Sequence, residues 1–153
     1  MLNKLQLLDV GLFGVDSFID DEKYMGDVII NNLAIYHYDI TFVTTIPDFI
    51  EKINNGIQYD LFILDIMIPI KNEEIKNLFS LGEISEMGKG LTAGEVLYKR
   101  IRNQQKFSKT PILFYSGIKP TIETDNFTNA IIKPQLATDL HKEIQKMIVS
   151  SSA

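Results

Sequence analysis

The sequence predicts an α/β protein: a parallel β-sheet with helices packed on both faces. Three observations carry this. Short apolar runs alternate with amphipathic stretches of helical period along most of the chain. One of these runs, Leu61, Phe62, Ile63 and Leu64, has no polar break, as a strand buried on both faces requires. Several runs also stop at a single polar or charged residue, as strands do at the carboxyl edge of an open α/β sheet, where ligands bind.

The elements follow in order. Residues Met1–Phe13 are read as an N-terminal extension ahead of the recognisable pattern. The first strand is placed at Val15–Ile19 and ends at Asp20, although Asp16 and Ser17 are polar for a central strand. Met25, Val28, Ile29, Leu33 and Tyr36 then share one face of a first helix. Asp39–Thr44 reads as the second strand. In the second helix Pro47 lies in the first turn, Phe49, Ile50 and Ile53 form the apolar face, and Gly56 is the stop. The third strand ends at Asp65. A third helix is expected near Thr92–Arg102 and a fourth strand at Pro111–Tyr115. Residues Gly117–Asn129 are few and contain Pro120, so the helix expected there is reduced to a turn or lost. Ala130–Ile132 gives the fifth strand. Leu136, Leu140, Ile144, Met147 and Ile148 mark an amphipathic last helix, and Ser150–Ala153 a polar tail.

Composition narrows the function classes. At 153 residues the chain is expected to form one domain, and 45% hydrophobic residues suffice for a core. The net charge of -5 argues against general nucleic-acid binding. No cysteine is present, which excludes disulfides, thiol catalysis and thiolate metal sites. His37 and His141 are far apart and lack metal-ligand spacing. The N-terminus reads as neither a signal peptide nor a membrane span, and the expected location is the cytoplasm.

The strand ends carry the chemistry. Asp65 follows the buried run, and a carboxylate is costly to bury, so it belongs at the exposed edge. Asp20 and Asp21 form an adjacent acidic pair, Ser116 follows PILFY, and Lys133 follows AII with Pro134 after it. Acids can hold a divalent cation, and a hydroxyl and an ammonium can hold phosphoryl oxygens. Each feature has a plainer reading: helix caps for the acids, a turn for Ser116, a solvated loop for Lys133. Four such explanations would all have to fall in register by coincidence.

This ordered set resembles the receiver domain of two-component response regulators (the CheY-like family). Asp21 precedes Asp65 by 44 residues, the family's spacing, and GEVLYKRIR (Gly94–Arg102) matches its third helix. The 25 residues from Pro69 to Gly94 and the 51 from Asp65 to Ser116 exceed the family's intervals by the same amount. One insertion, residues 70–90, accounts for both. The resemblance implies a flavodoxin-like, doubly wound, five-stranded sheet of order 2-1-3-4-5. It implies that Asp65 accepts a phosphoryl group and that Ser116 and Lys133 contact that group. It implies Mg2+ held by Asp20, Asp21, Asp65 and the backbone carbonyl of Met67. A histidine kinase or phosphotransfer protein is the implied donor and an unspecified downstream protein the reader. The chain would be a phosphoacceptor rather than an enzyme, with no direct nucleic-acid or membrane contact and homodimerisation left open.

The pattern also breaks. Ala130 stands where receivers carry a Tyr or Phe three residues before the Lys. The insertion has apolar Ile75, Leu78, Phe79, Ile84 and Met87, and is read either as a lid or docking surface or as an excursion packed on the domain. The basic residues Lys99, Arg100, Arg102, Lys106 and Lys109 suit a helix C-terminus more than a phosphate site. MGKGLT lacks the glycine and hydroxyl positions of a P-loop. Two alternatives compete with the switch. One is a phosphorylation-independent pseudo-receiver, favoured by Ala130. The other is a phosphatase of the haloacid dehalogenase type, disfavoured because Met67 stands where a proton-transferring Asp is needed.

Overall fold

The computed structural model describes residues 5–10, 38–68, 70–132 and 135–152. Five strands, β1 (Leu5–Val10), β2 (Tyr38–Val43), β3 (Leu61–Leu64), β4 (Ile112–Ser116) and β5 (Thr128–Ile132), form one sheet in the order β2-β1-β3-β4-β5. Every adjacent pair is parallel. The expected doubly wound order is therefore present.

The first strand is not where the sequence reading put it. Leu5–Val10 takes the central place beside β3, with Leu7 registered to Leu61 and Val10 to Leu64. These residues are thus part of the sheet, not of an extension outside it. The reason is polarity: four of the six residues of LQLLDV are apolar, while VDSFI would put Asp16 and Ser17 into a central strand. The Gln6 amide and carbonyl bond Asp60, and the Gln6 side chain bonds Asp39, which ties β1 to both neighbours. Residues 11–37, which include the expected first helix, lie outside the described residues.

Side chains alternate across the sheet into two cores. Phe62, Leu64, Ile112 and Phe114 point to one face. There they meet helices α1 (Ile46–Asn54) and α4 (Ala93–Asn103), through Phe49, Ile53, Val96, Leu97 and Ile101. Leu61, Ile63, Leu113 and Tyr115 point to the other, against Leu140, Ile144 and Met147 of α5 (Ala137–Ser152). All four β3 residues are buried, as the unbroken apolar run requires. Each such side chain contributes roughly 1.5–3 kcal/mol.

Helix ends follow local chemistry. The Thr45 hydroxyl caps α1, Pro47 lies at its start, and Gly56 takes a left-handed φ of 84° just past its end. The Thr92 hydroxyl caps α4 through the Glu95 amide. At the C-terminus the helix continues to Ser152, so Ser150–Ser152 are helical rather than a loose tail. Leu136 precedes α5 and is 71% exposed, so it does not belong to the buried stripe.

Two regions distinguish this sheet. Between β3 and α4, the predicted insertion forms two short helices, α2 (Asn72–Leu78) and α3 (Leu81–Gly88). Phe79, between them, is buried in the first core, with Leu78, Ile84 and Met87 packed beside it. Arg100 of α4 holds both arms. Its guanidinium donates to Glu83 at 3.1 and 2.6 Å and to the Leu78 carbonyl, and it lies over the Phe79 ring. Lys99 pairs with Glu86. The packed-excursion reading of residues 70–90 thus has direct contacts behind it. Between β4 and β5, residues 117–127 contain no helix at all; of the two expected outcomes, a helix reduced to a turn or lost, the second holds. Arg102 orders this segment instead, donating to both carboxylate oxygens of Asp125 and to the carbonyls of Phe107 and Thr110. The Tyr98 hydroxyl donates to Asp125 as well.

Candidate functional site

Asp65 directly follows β3 at the carboxyl edge of the sheet. It is 2% exposed, deeper than an edge position alone suggests. Polar partners offset that burial. The Met67 amide donates to Asp65 Oδ1 at 3.0 Å, closing a tight turn after the strand. The Ser116 hydroxyl donates to the same oxygen at 2.7 Å. Ser116 is itself 1% exposed. Residues 51 apart in sequence thus share one hydrogen bond because β3 and β4 are adjacent and in register, Leu64 beside Phe114.

The turn after Asp65 is set by packing. Ile66 and Ile68 are buried in the first core, while Met67 is 54% exposed between them. The Gly94 amide donates to the Ile66 carbonyl at 3.0 Å. Gly117, after Ser116, is exposed, and a side chain there would meet nothing within 4 Å.

The other predicted site residues, Asp20, Asp21, Lys133 and the following Pro134, lie outside the described residues. The strand ends bear on them in one way. β1 ends at Val10, registered with Leu64, so the acidic pair does not terminate β1 as expected; residues 11–19 intervene. β5 ends at Ile132, registered with Ser116, so Lys133 follows directly on the strand neighbouring Ser116. Among the described residues no three acids or histidines are grouped to hold a metal. What the described part offers a divalent cation is the Asp65 carboxylate and an exposed turn at Met67. Mg2+ takes few protein ligands and keeps several waters, so this donor set fits a share of its shell.

Sequence reasoning missed the roles of two residues and misplaced a basic cluster. Glu95, fully buried at the start of α4, receives the Thr92 amide and hydroxyl on Oε1 and the Thr121 amide and hydroxyl on Oε2. Burial pushes its carboxyl up, yet these four hydrogen bonds outweigh that and hold it below its ordinary range. The capping box Thr92-x-x-Glu95 was visible in sequence; the partnership with Thr121 was not. Tyr115 accepts the Gln135 amide at 2.9 Å, fixing the chain just after β5. The basic residues read as a helix-end cluster are dispersed into specific pairs: Lys99 and Arg100 with the insertion, Arg102 with Asp125.

No protein-family model matches this chain, and no curated protein matches it. Solved structures do. A CheY-like response regulator receiver domain protein from Methanospirillum hungatei is 17% identical, with 97% of each chain covered and a TM-score of 0.62. A response regulator receiver domain protein from Bacillus halodurans is 13% identical over 94% of this chain and 97% of that one, with a TM-score of 0.61. A chemotaxis response regulator from Vibrio cholerae is 18% identical over 94% and 98%, with a TM-score of 0.60. At such identities the likeness is one of fold: the chain has the flavodoxin-like fold of receiver domains. Among the described residues no helix is long and apolar enough to cross a membrane.

Proposed function

We propose that this chain is a phosphoryl-accepting signalling switch, with Asp65 as the acceptor. The observation that carries the reading is the Asp65–Ser116 pair at the carboxyl edge of a receiver-type sheet. An Asp65 carboxylate oxygen attacks phosphorus in line. The new O–P bond forms as the P–N bond of a phosphohistidine donor breaks, and the leaving imidazole takes up a proton. The Ser116 hydroxyl, already turned toward Asp65, is placed to transfer its hydrogen bond to a phosphoryl oxygen. Lys133 supplies a compact positive charge to the same group. Asp65, the Met67 carbonyl, Asp20 and Asp21 would hold Mg2+, which when bound neutralises charge around the acceptor. The donor is a histidine kinase or phosphotransfer protein, and the output is contact with another protein, acting in the cytoplasm. Engagement of Lys99, Arg100 and Arg102 in ion pairs supports a protein partner over nucleic acid. The chain is an acceptor, with turnover limited to slow loss of its own phosphoryl group.

A second reading is favoured by specific observations: Asp65 is almost inaccessible, Ser116 already contacts it, and residues 117–127 have no helix to shift. Under it the chain is a pseudo-receiver that binds partners without phosphorylation. Intact-protein mass after incubation with acetyl phosphate separates the two. A single Mg2+-dependent phosphoryl adduct, absent in Asp65→Asn, is the expected result. An adduct retained in Asp65→Asn overturns the acceptor assignment. No adduct from acetyl phosphate or a phosphohistidine donor leaves the pseudo-receiver.

A further inference from the structure

We infer that Glu95 is a positioning residue for the Asp65 site, fastening the loop after Ser116 to the helical turn that also holds the Asp65 loop; this rests on the acceptor reading above. The first loop holds Asp65, Ile66 and Met67 and is fastened to α4 through the Gly94 amide. The second follows Ser116 and is fastened to the same turn of α4 through Thr121, whose amide and hydroxyl lie 2.7 and 2.8 Å from Glu95 Oε2. Gly94 and Glu95 are consecutive, so fastening points of both loops converge on one helical turn. The Asp65–Ser116 hydrogen bond closes the ring.

The residue type fits the task. A buried carboxylate accepts from all four donors at once, two on each oxygen, and stays paired without a cation. An amide cannot: its single oxygen serves one backbone amide, and its NH2 group confronts the other. The segment 117–127 has no helix to give it shape. Glu95 near its start and Arg102 on Asp125 near its end supply that order from α4 instead. Glu95 touches neither Asp65 nor Ser116 by any hydrogen bond described, so its action on the acceptor is through the loops.

The test uses Glu95→Gln, Thr121→Val and Thr121→Ser in the full chain, with two readouts. The first is the rate of adduct formation with acetyl phosphate as its concentration is varied. Glu95→Gln should lower the limiting rate about tenfold, as misplacement of a reacting group does, with Thr121→Val in between and Thr121→Ser near wild type. The second is amide hydrogen exchange, which needs no phosphorylation. Glu95→Gln should speed exchange at Met67 and Thr121 while Phe62 and Phe114 stay protected. Should Glu95→Gln fail to fold, the two Thr121 variants carry both readouts. Uniform loss of protection would make Glu95 merely structural and overturn the inference, as would unchanged exchange at Met67. If wild type forms no adduct while selective exchange is seen, the acceptor reading fails and the fastening stands.

Discussion

Gly94 lies so close to Asp65 that a Cβ added to it would sit 2.1 Å from the Asp65 carbonyl oxygen and 2.6 Å from the Ile66 Cα. These are backbone atoms, which cannot swing aside. Gly94→Ala should therefore displace the acceptor turn or the start of α4. The expected cost is about 1–3 kcal/mol, as for overpacking elsewhere. Urea unfolding measures it. A stability within error of wild type would mean that α4 slides freely over this turn.

Ser116→Ala removes the hydroxyl that donates to Asp65 Oδ1 and leaves the Met67 amide as a remaining donor to that oxygen. Hydrogen bonds to charged groups contribute roughly 1.5–3 kcal/mol, so a loss near the lower end of that range is expected. Chemical denaturation at pH 7 provides the value. An unchanged midpoint would show that the buried contact is energetically idle.

Acid should destabilise the fold through identifiable carboxylates. Glu95 and Asp125 both titrate below their ordinary values of 4.5 and 3.8. For Asp125, burial raises the pKa, but the Arg102 and Thr128 hydrogen bonds and the Arg102 charge lower it further. Groups held low when folded bind more protons when unfolded, so their contribution is complete above the ordinary values and is lost as pH falls through the folded ones. Urea midpoints between pH 7 and pH 3 should begin to fall near pH 5. In Thr121→Val, with one donor to Glu95 gone, its folded value moves back toward the ordinary one, so stability at pH 7 is lower and the further fall toward pH 3 is smaller. A flat profile to pH 3 would contradict these assignments.

Phe79→Ala tests how the insertion is held. Phe79 is 5% exposed and lies under the Arg100 guanidinium. Truncation of a buried Phe costs about 3–5 kcal/mol, with part recovered here if the hairpin can settle. Limited proteolysis should then cut within residues 70–92 first. Equal resistance of variant and wild type would mean that the Arg100–Glu83 pair suffices to hold the hairpin.

Much of this fold was legible because strands and helices are local patterns. The run Leu61–Leu64, Pro47 in the first turn of its helix and the stop at Gly56 each state their own element. The first strand misled because an acidic pair, Asp20–Asp21, outweighed the better apolar run at Leu5–Val10. That residues 117–127 are fastened by Glu95 and Arg102 was not legible, because those partners lie in another element.

By itself the sequence determined the alternation of elements, the two-sided burial of the third strand and the acid and hydroxyl at the ends of the third and fourth strands, since periodicity and polarity act over a few residues. Only the tertiary structure decided that Ser116 bonds Asp65, that Gly94 abuts the Asp65 backbone and that Glu95 bonds Thr121. Those relations depend on strand register and helix approach, which are set by close packing among residues far apart in the chain.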